Sequence, residues 1–192
     1  MREMHLIAHD IRSRENVGSL FRTCDSLGVK KLWLTGYTPA PPDDKISKVA
    51  LGADQSVEYE KAVDVVEVMK KLKENKIPVY ALELTPEAVE LSSFVRWLHG
   101  SCGSTELTEV RCGTLIQDSF SESCIKGSAS ASPVKPSCVA VLLGTETTGI
   151  PPSLLELCDG AVKITQRGIK ESMNVSVAAG IAAWAILNSR GE

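Results

Sequence analysis

Residues 139–143, Val-Ala-Val-Leu-Leu, form an unbroken apolar run of strand length that ends at Gly144. A run this short and this apolar is the signature of a strand buried on both faces, which calls for a parallel sheet with helices on either side. The N-terminal part agrees. Residues 5–8 read as a strand, and from 16 to 27 the apolar positions Val17, Leu20, Cys24 and Leu27 recur at helical spacing. Asn16 is the expected N-cap and Gly28 the expected stop. Residues 31–35 follow as a strand, completing a strand–helix–strand unit of an α/β fold.

Residues 36–44 carry Pro39, Pro41 and Pro42 and read as a loop, with a short helix expected over 46–51. A helix is expected over 62–75, with Val65, Val66, Met69 and Leu72 on one face and lysines opposite. A strand over 79–84, a short helix over 151–158, a strand over 161–164 and a final helix over 175–188 complete the pattern. Between 92 and 137 the periodicity is lost and about a quarter of the residues are serine, with scattered Gly and Cys. This stretch is expected to be a surface insertion within one domain covering 1–192, with a short helix around 94–98.

The 192 residues suffice for one buried core. The N-terminus lacks the apolar run of a signal peptide, and no stretch approaches the ~18 apolar residues of a membrane span; the expected address is the cytoplasm, without a membrane partner. The six cysteines contain no C-x-x-C pair and do not cluster with the three histidines, so free thiols and no metal are expected. A net charge of −3 argues against a nonspecific nucleic-acid binder. No dinucleotide loop, phosphate loop, zinc-protease helix or nucleophile elbow is present.

Three segments carry candidate chemistry. Asn16-Val-Gly-Ser-Leu-Phe-Arg22 sits at a strand-to-helix junction, where open α/β sheets face their ligands. Leu143-Gly-Thr-Glu-Thr-Thr-Gly-Ile150 follows the buried strand, its two glycines allowing close backbone approach and holding Glu146 at the strand end. Ile164-Thr-Gln-Arg-Gly-Ile-Lys-Glu-Ser-Met-Asn-Val-Ser176 places Ser172, Asn174 and Ser176 about a helix start, behind a turn with Arg167, Gly168 and Lys170. Taken singly, each has an ordinary structural reading: a surface arginine, a tight connection, a cap.

In this order the three segments resemble the motifs of the SpoU–TrmH family of SPOUT RNA methyltransferases, and the likeness covers most of 5–91 and 138–188. Leu51-Gly-Ala53 and Tyr80-Ala-Leu-Glu83 also resemble family connecting segments. The resemblance implies a mostly parallel α/β sheet with a C-terminal trefoil knot, S-adenosyl-L-methionine as cofactor, a homodimer, and RNA as partner, with the ribose 2′-hydroxyl as methyl acceptor; tRNA is favoured over rRNA because a minimal domain suits a small, compact substrate. It assigns cofactor binding to Leu82, Gly144, Gly149, Ile164, Gln166 and Met173, and catalysis to Arg22, Asn16, Glu146, Ser172 and Asn174. Arg12, Arg14, Arg167 and Lys170 are the expected RNA contacts. The resemblance offers Arg22 as the base that activates the 2′-hydroxyl, but arginine keeps its proton up to pH ~12, so the favoured expectation is that Arg22 holds a phosphate or stabilises an alkoxide, with Asn16 orienting it and Glu146 positioning Asn16 or the cofactor ribose. Two departures stand out: Thr165 replaces a common proline, which is expected to loosen its loop, and residues 92–137 replace a short link. The competing readings are a noncatalytic RNA-binding or dimerising relative, methylation of a base or protein instead of a ribose, and an ordinary small-molecule α/β enzyme.

Overall fold

The structure, a computed structural model, describes residues 2–100, 135–169 and 172–188. Its strands are β1 (Glu3–His9), β2 (Lys31–Thr35), β3 (Tyr59–Ala62), β4 (Val79–Leu82), β5 (Val89–Glu90), β6 (Cys138–Leu143) and β7 (Gly160–Lys163). Its helices are α1 (Arg14–Leu27), α2 (Asp44–Ala50), α3 (Ala53–Ser56), α4 (Val65–Glu74), α5 (Leu91–His99), α6 (Pro152–Leu155) and α7 (Val175–Asn188). Among the described residues the strands form one sheet in the order β3-β2-β1-β6-β4-β7-β5, and all the strand pairings are parallel.

The apolar run at 139–143 becomes β6, in the middle of that sheet and buried along its whole length. Alternation divides its side chains between two cores. Val139, Val141 and Leu143 join Met4, Leu6 and Ala8 of β1 beneath α1, α2, α5 and α7. Ala140 and Leu142 join Ile7, Trp33 and Val79 beneath α4 and α6. The expected doubly covered parallel sheet is therefore present, and its carboxyl edge is where the loops of interest emerge.

Several boundaries differ from the sequence expectation: the helix expected over 46–51 is Asp44–Ala50, the strand over 79–84 ends at Leu82, the helix over 151–158 is Pro152–Leu155, and three further differences have a clear physical cause. Ser13, not Asn16, caps α1: its side chain accepts from the Asn16 backbone N–H at 3.1 Å. The Asn16 amide is thereby free for long-range bonds. The helix expected from residue 62 starts at Val65, capped by Asp64, because Tyr59–Ala62 pairs with β2 as an edge strand. That strand is only half-buried and carries Glu60 and Lys61, so no apolar alternation announces it. The helix expected near 94–98 spans Leu91–His99 and buries Leu91, Phe94, Val95 and Leu98 in the main core; residues 101–134 lie outside the described residues. Cys24, Cys138 and Cys158 are free, and burial pushes the Cys24 and Cys158 thiols up to about 12. Among the described residues no helix is long and apolar enough to cross a membrane.

α1 and α2 meet at Gly18, where an added Cβ would lie 2.7 Å from the Ile46 carbonyl oxygen and 2.8 Å from Val49 Cβ. Backbone cannot yield as a side chain can, so Gly18→Val is expected to cost about 1–3 kcal/mol by overpacking. A urea titration checks this, and an unchanged midpoint would show that the two helices do not approach this closely.

Candidate active site

The connection after β6 folds back on itself. Thr145 and Gly149 exchange backbone hydrogen bonds at 3.1 and 3.2 Å, and Thr145 Oγ1 accepts from the Thr148 N–H at 3.0 Å. Gly149 adopts φ 68, in the left-handed region, and a Cβ there would lie 2.3 Å from Glu83 Oε2. The closed turn presents Glu146 at its tip, against the start of α1. The carboxylate accepts from the backbone N–H groups of Arg12 (3.2 Å) and Ser13 (3.1 Å) and from the Asn16 amide (3.1 Å). An anion suits this place, since the free N–H groups and dipole of a helix start favour negative charge.

Asn16 then reaches the third segment: its Oδ1 accepts from Asn174 Nδ2 at 3.0 Å. Asn174 Oδ1 in turn accepts from Ser176 N at 2.9 Å and Ser176 Oγ at 2.7 Å, at the start of α7. The amide orientations follow from chemistry. The backbone N–H of Ser176 requires an oxygen, so Asn174 turns its NH₂ to Asn16, and Asn16 turns its own NH₂ to a carboxylate that can only accept. Glu146, Asn16 and Asn174 thus form one directional chain joining segments more than a hundred residues apart.

Beside this chain lies a hollow lined by Leu82, Glu83, Leu143, Gly144, Thr145, Glu146, Gly149, Ile164, Gln166, Ser172, Met173 and Val175, among others. All six residues expected to bind the cofactor line it, together with Glu146 and Ser172 from the expected catalytic set. Gly168 does not; it lines a second, outer hollow with Thr85, Lys163 and Ile169. The loop between them is tied down. Gln166 Nε2 donates to the Ile164 carbonyl at 3.1 Å, and Thr165 Oγ1 donates to Glu90. The hydroxyl restrains the loop where loosening was expected from the lack of proline.

Arg22 is exposed on α1, with no hydrogen bond or ion pair to any described residue. The expected Asn16–Arg22 contact is not made: six residues further along α1, Arg22 projects about 120° round the helix from Asn16, whose amide bonds Glu146 and Asn174. Arg12 is exposed over the Tyr37 ring. Arg14 pairs with Asp43 at 2.7 Å, Arg167 is exposed, and Lys170 lies outside the described residues. No group of three His, Cys, Asp or Glu side chains that could hold a metal occurs among the described residues.

Sequence reasoning passed over Glu83. Its carboxylate accepts from the Ile150 N–H at 2.9 Å and the Leu84 N–H at 3.0 Å, joining the β4 exit to the β6 turn inside the hollow. The available signal was its position: a glutamate one residue past a strand, at the sheet edge that faces ligands.

Burial raises the Glu146 pKa, but the hydrogen bonds from Arg12, Ser13, its own backbone and Asn16 outweigh burial and hold it below the usual carboxylate range. A depressed folded-state pKa means that the unfolded chain takes up the proton first as pH falls. The contribution of Glu146 to stability is therefore complete above the unfolded value of about 4.3 and lost as pH falls through the folded value. Glu146→Ala is expected to lower the thermal midpoint at pH 7, and the gap from wild type should narrow progressively as pH falls below about 4.3. A gap that persisted unchanged at pH 3 would show that charge is not what the turn contributes.

These segments can be compared with known proteins. A model of the SpoU rRNA Methylase family matches residues 3–184. The chain is 25% identical over 185 residues to the 23S rRNA (guanosine-2′-O-)-methyltransferase RlmB of Vibrio vulnificus, covering 96% of this chain and 59% of that protein. It therefore spans about three-fifths of the length of that curated relative. It is 26% identical over 179 residues to the tRNA (guanosine(18)-2′-O)-methyltransferase of Thermus thermophilus, covering 93% of this chain and 71% of that protein. The A. aeolicus TrmH/SpoU tRNA modifying enzyme superposes with a TM-score of 0.69 at 20% identity, over 97% of this chain and 75% of that one. The AdoMet-bound rRNA methyltransferase from Sinorhizobium meliloti does so with a TM-score of 0.69 at 19% identity, over 97% of this chain and 56% of that one. With its three motif segments joined at one sheet edge and a family match running through nearly its whole length, the chain belongs to the SpoU rRNA methylase family.

Proposed function

We propose that this protein is an S-adenosylmethionine-dependent RNA methyltransferase that modifies a ribose 2′-hydroxyl of transfer RNA in the cytoplasm. The observation that carries the reading is the Glu146–Asn16–Asn174 chain at the edge of a hollow lined by Leu82, Gly144, Gly149, Ile164, Gln166 and Met173. The hollow suits the cofactor. Leu82, Ile164 and Met173 offer an apolar wall for a flat base, while Glu83, Thr145 and Ser172 offer polar groups for a sugar and a charged tail. When bound, S-adenosylmethionine supplies a methyl group already activated on a sulfonium.

The protein must then place a hydroxyl and manage its proton. Arg22, with its guanidinium unengaged by described residues, holds the phosphate beside the target ribose and stabilises the oxyanion that develops on the 2′-oxygen. The proton leaves through that phosphate to solvent. Asn16 and Asn174 keep the helix starts of α1 and α7 in register, Glu146 fixes Asn16, and Ser172 completes the cradle. Arg12, Arg14, Arg167 and Lys170 meet the RNA backbone.

Relatives of both kinds match, the Thermus tRNA enzyme at 26% identity and the Vibrio rRNA enzyme at 25%; transfer RNA is the substrate proposed, with ribosomal RNA as the second choice. We take residues 1–192 to act as one domain. β4 lies between β6 and β7, and α7 returns to pack on α1; this crossing is the proposed place of the trefoil knot. A homodimer is proposed through α7, where Val177, Ile181 and Trp184 leave an apolar stripe exposed at i, i+4 and i+7.

Incubation with labelled cofactor and unmodified tRNA and rRNA, followed by nuclease digestion and nucleoside analysis, tests the proposal. A 2′-O-methylated nucleoside from tRNA is expected. Methyl on a base alone would overturn the ribose assignment, and bound cofactor without transfer to any RNA would leave a noncatalytic relative.

A further inference from the structure

The exit of β2 carries an aromatic side chain that neither the core nor the candidate catalytic chain uses. Tyr37 is 53% exposed, yet the turn beneath it is held from three sides. Its backbone N–H donates to Asp10 Oδ1 at 3.0 Å. The Lys61 ammonium bonds the carbonyl oxygens of Gly36 and, at 2.7 Å, Thr38. Buried Thr38 Oγ1 accepts from the Ile11 N–H and donates to the Ala8 carbonyl, both at 3.0 Å. An exposed ring on so restrained a turn has already lost the mobility that binding would otherwise cost.

The same lacing ties the ring to the candidate active site. Ile11 is followed by Arg12, whose backbone N–H holds Glu146 and whose guanidinium lies 5.7 Å from the Tyr37 ring centroid. An aromatic face paired with an arginine is the chemistry that stacks unpaired nucleobases beside a phosphate backbone, whatever the base. A packing role would bury the ring, and a purely electrostatic contact would not need one.

We propose that Tyr37, with Arg12 alongside, is the stacking platform for an unpaired base next to the ribose that is methylated. The platform selects single-stranded loops over duplex RNA, since a paired base has no free face to offer. This rests on the reading of the chain as an RNA methyltransferase.

The test compares wild type, Tyr37→Ala, Tyr37→Phe and Tyr37→Trp in full-length protein. Affinity for an unmodified pool of tRNA and rRNA transcripts is measured by filter binding, methyl transfer to the same pool by labelled cofactor, and cofactor affinity by calorimetry. Tyr37→Ala is expected to weaken RNA binding and raise KM for RNA about 10- to 100-fold, with cofactor affinity and thermal midpoint unchanged. The Phe and Trp variants should stay close to wild type. If wild type methylates the pool but Tyr37→Ala binds it as tightly, or Tyr37→Phe falls as far as Tyr37→Ala, the platform is wrong and the enzyme reading stands. If wild type methylates no RNA in the pool, the enzyme reading fails and the platform falls with it.

Discussion

Arg22→Ala is expected to reduce methyl transfer about 10²- to 10³-fold while leaving cofactor affinity and stability at wild-type levels. The magnitude is that of removing one group that stabilises developing charge once bound RNA excludes water from it. The selectivity follows from position. Arg22 is exposed on α1, makes no hydrogen bond or ion pair with described residues, and is absent from the hollow that the six cofactor candidates line. Truncating it leaves no buried partner unsatisfied, so the fold should not respond. Lysine at this position keeps the charge but not the planar fork, and Arg22→Lys should recover only part of the lost rate. Steady-state kinetics beside calorimetry checks this; full activity in Arg22→Ala would remove Arg22 from the mechanism.

Gly144→Val is expected to act on the other half of the site. A Cβ at Gly144 would lie 2.4 Å from the carbonyl carbon of Gly149 and 2.6 Å from its oxygen. The two sides of the turn cannot both stay, and the Thr145–Gly149 pairing that sets Glu146 on α1 must open. Cofactor affinity should fall about 10- to 100-fold, the scale of 1–3 kcal/mol of overpacking, and methyl transfer should fall with it. Gly168 is the control. No described residue lies within 4 Å of a Cβ built there, and of the two hollows it lines the outer one, so Gly168→Ala should bind cofactor as wild type does. Equal losses in the two variants would contradict the geometry.

That contrast also shows where sequence reading reaches its limit. Gly144 and Gly168 look alike in sequence, each a turn glycine in a candidate motif, but among the described residues backbone packs against Gly144 alone. The covered sheet was legible because burial on both faces leaves an unbroken apolar run at β6 and helical spacing in α1. Edge strand β3 was not, because Tyr59–Ala62 is half-buried and carries charge. Asn16 stood out by its place before an apolar helix, which misread it as the cap. Ser13 performs that task; the Glu146–Asn16 contact was expected only from the family resemblance, and the Asn16–Asn174 bond is set by a tertiary approach that no local pattern encodes. Tyr37 escaped for the same reason, since its partners Asp10 and Arg12 lie on another loop of the same sheet edge, whereas Glu83 was signalled only by its place one residue past β4.

The central claim is that the hollow between the β6 turn and the segment before α7 receives S-adenosylmethionine. Met173 lines that hollow, whereas Met4 and Met69 are buried in the two separate cores. Methionine labelled with carbon-13 at its methyl group therefore places a probe inside the site and two controls outside it. Titrating S-adenosylmethionine should move the Met173 methyl resonance and leave those of Met4 and Met69 in place. A Met173 resonance that stayed fixed at saturating cofactor, or a response confined to the core methyls, would contradict the account.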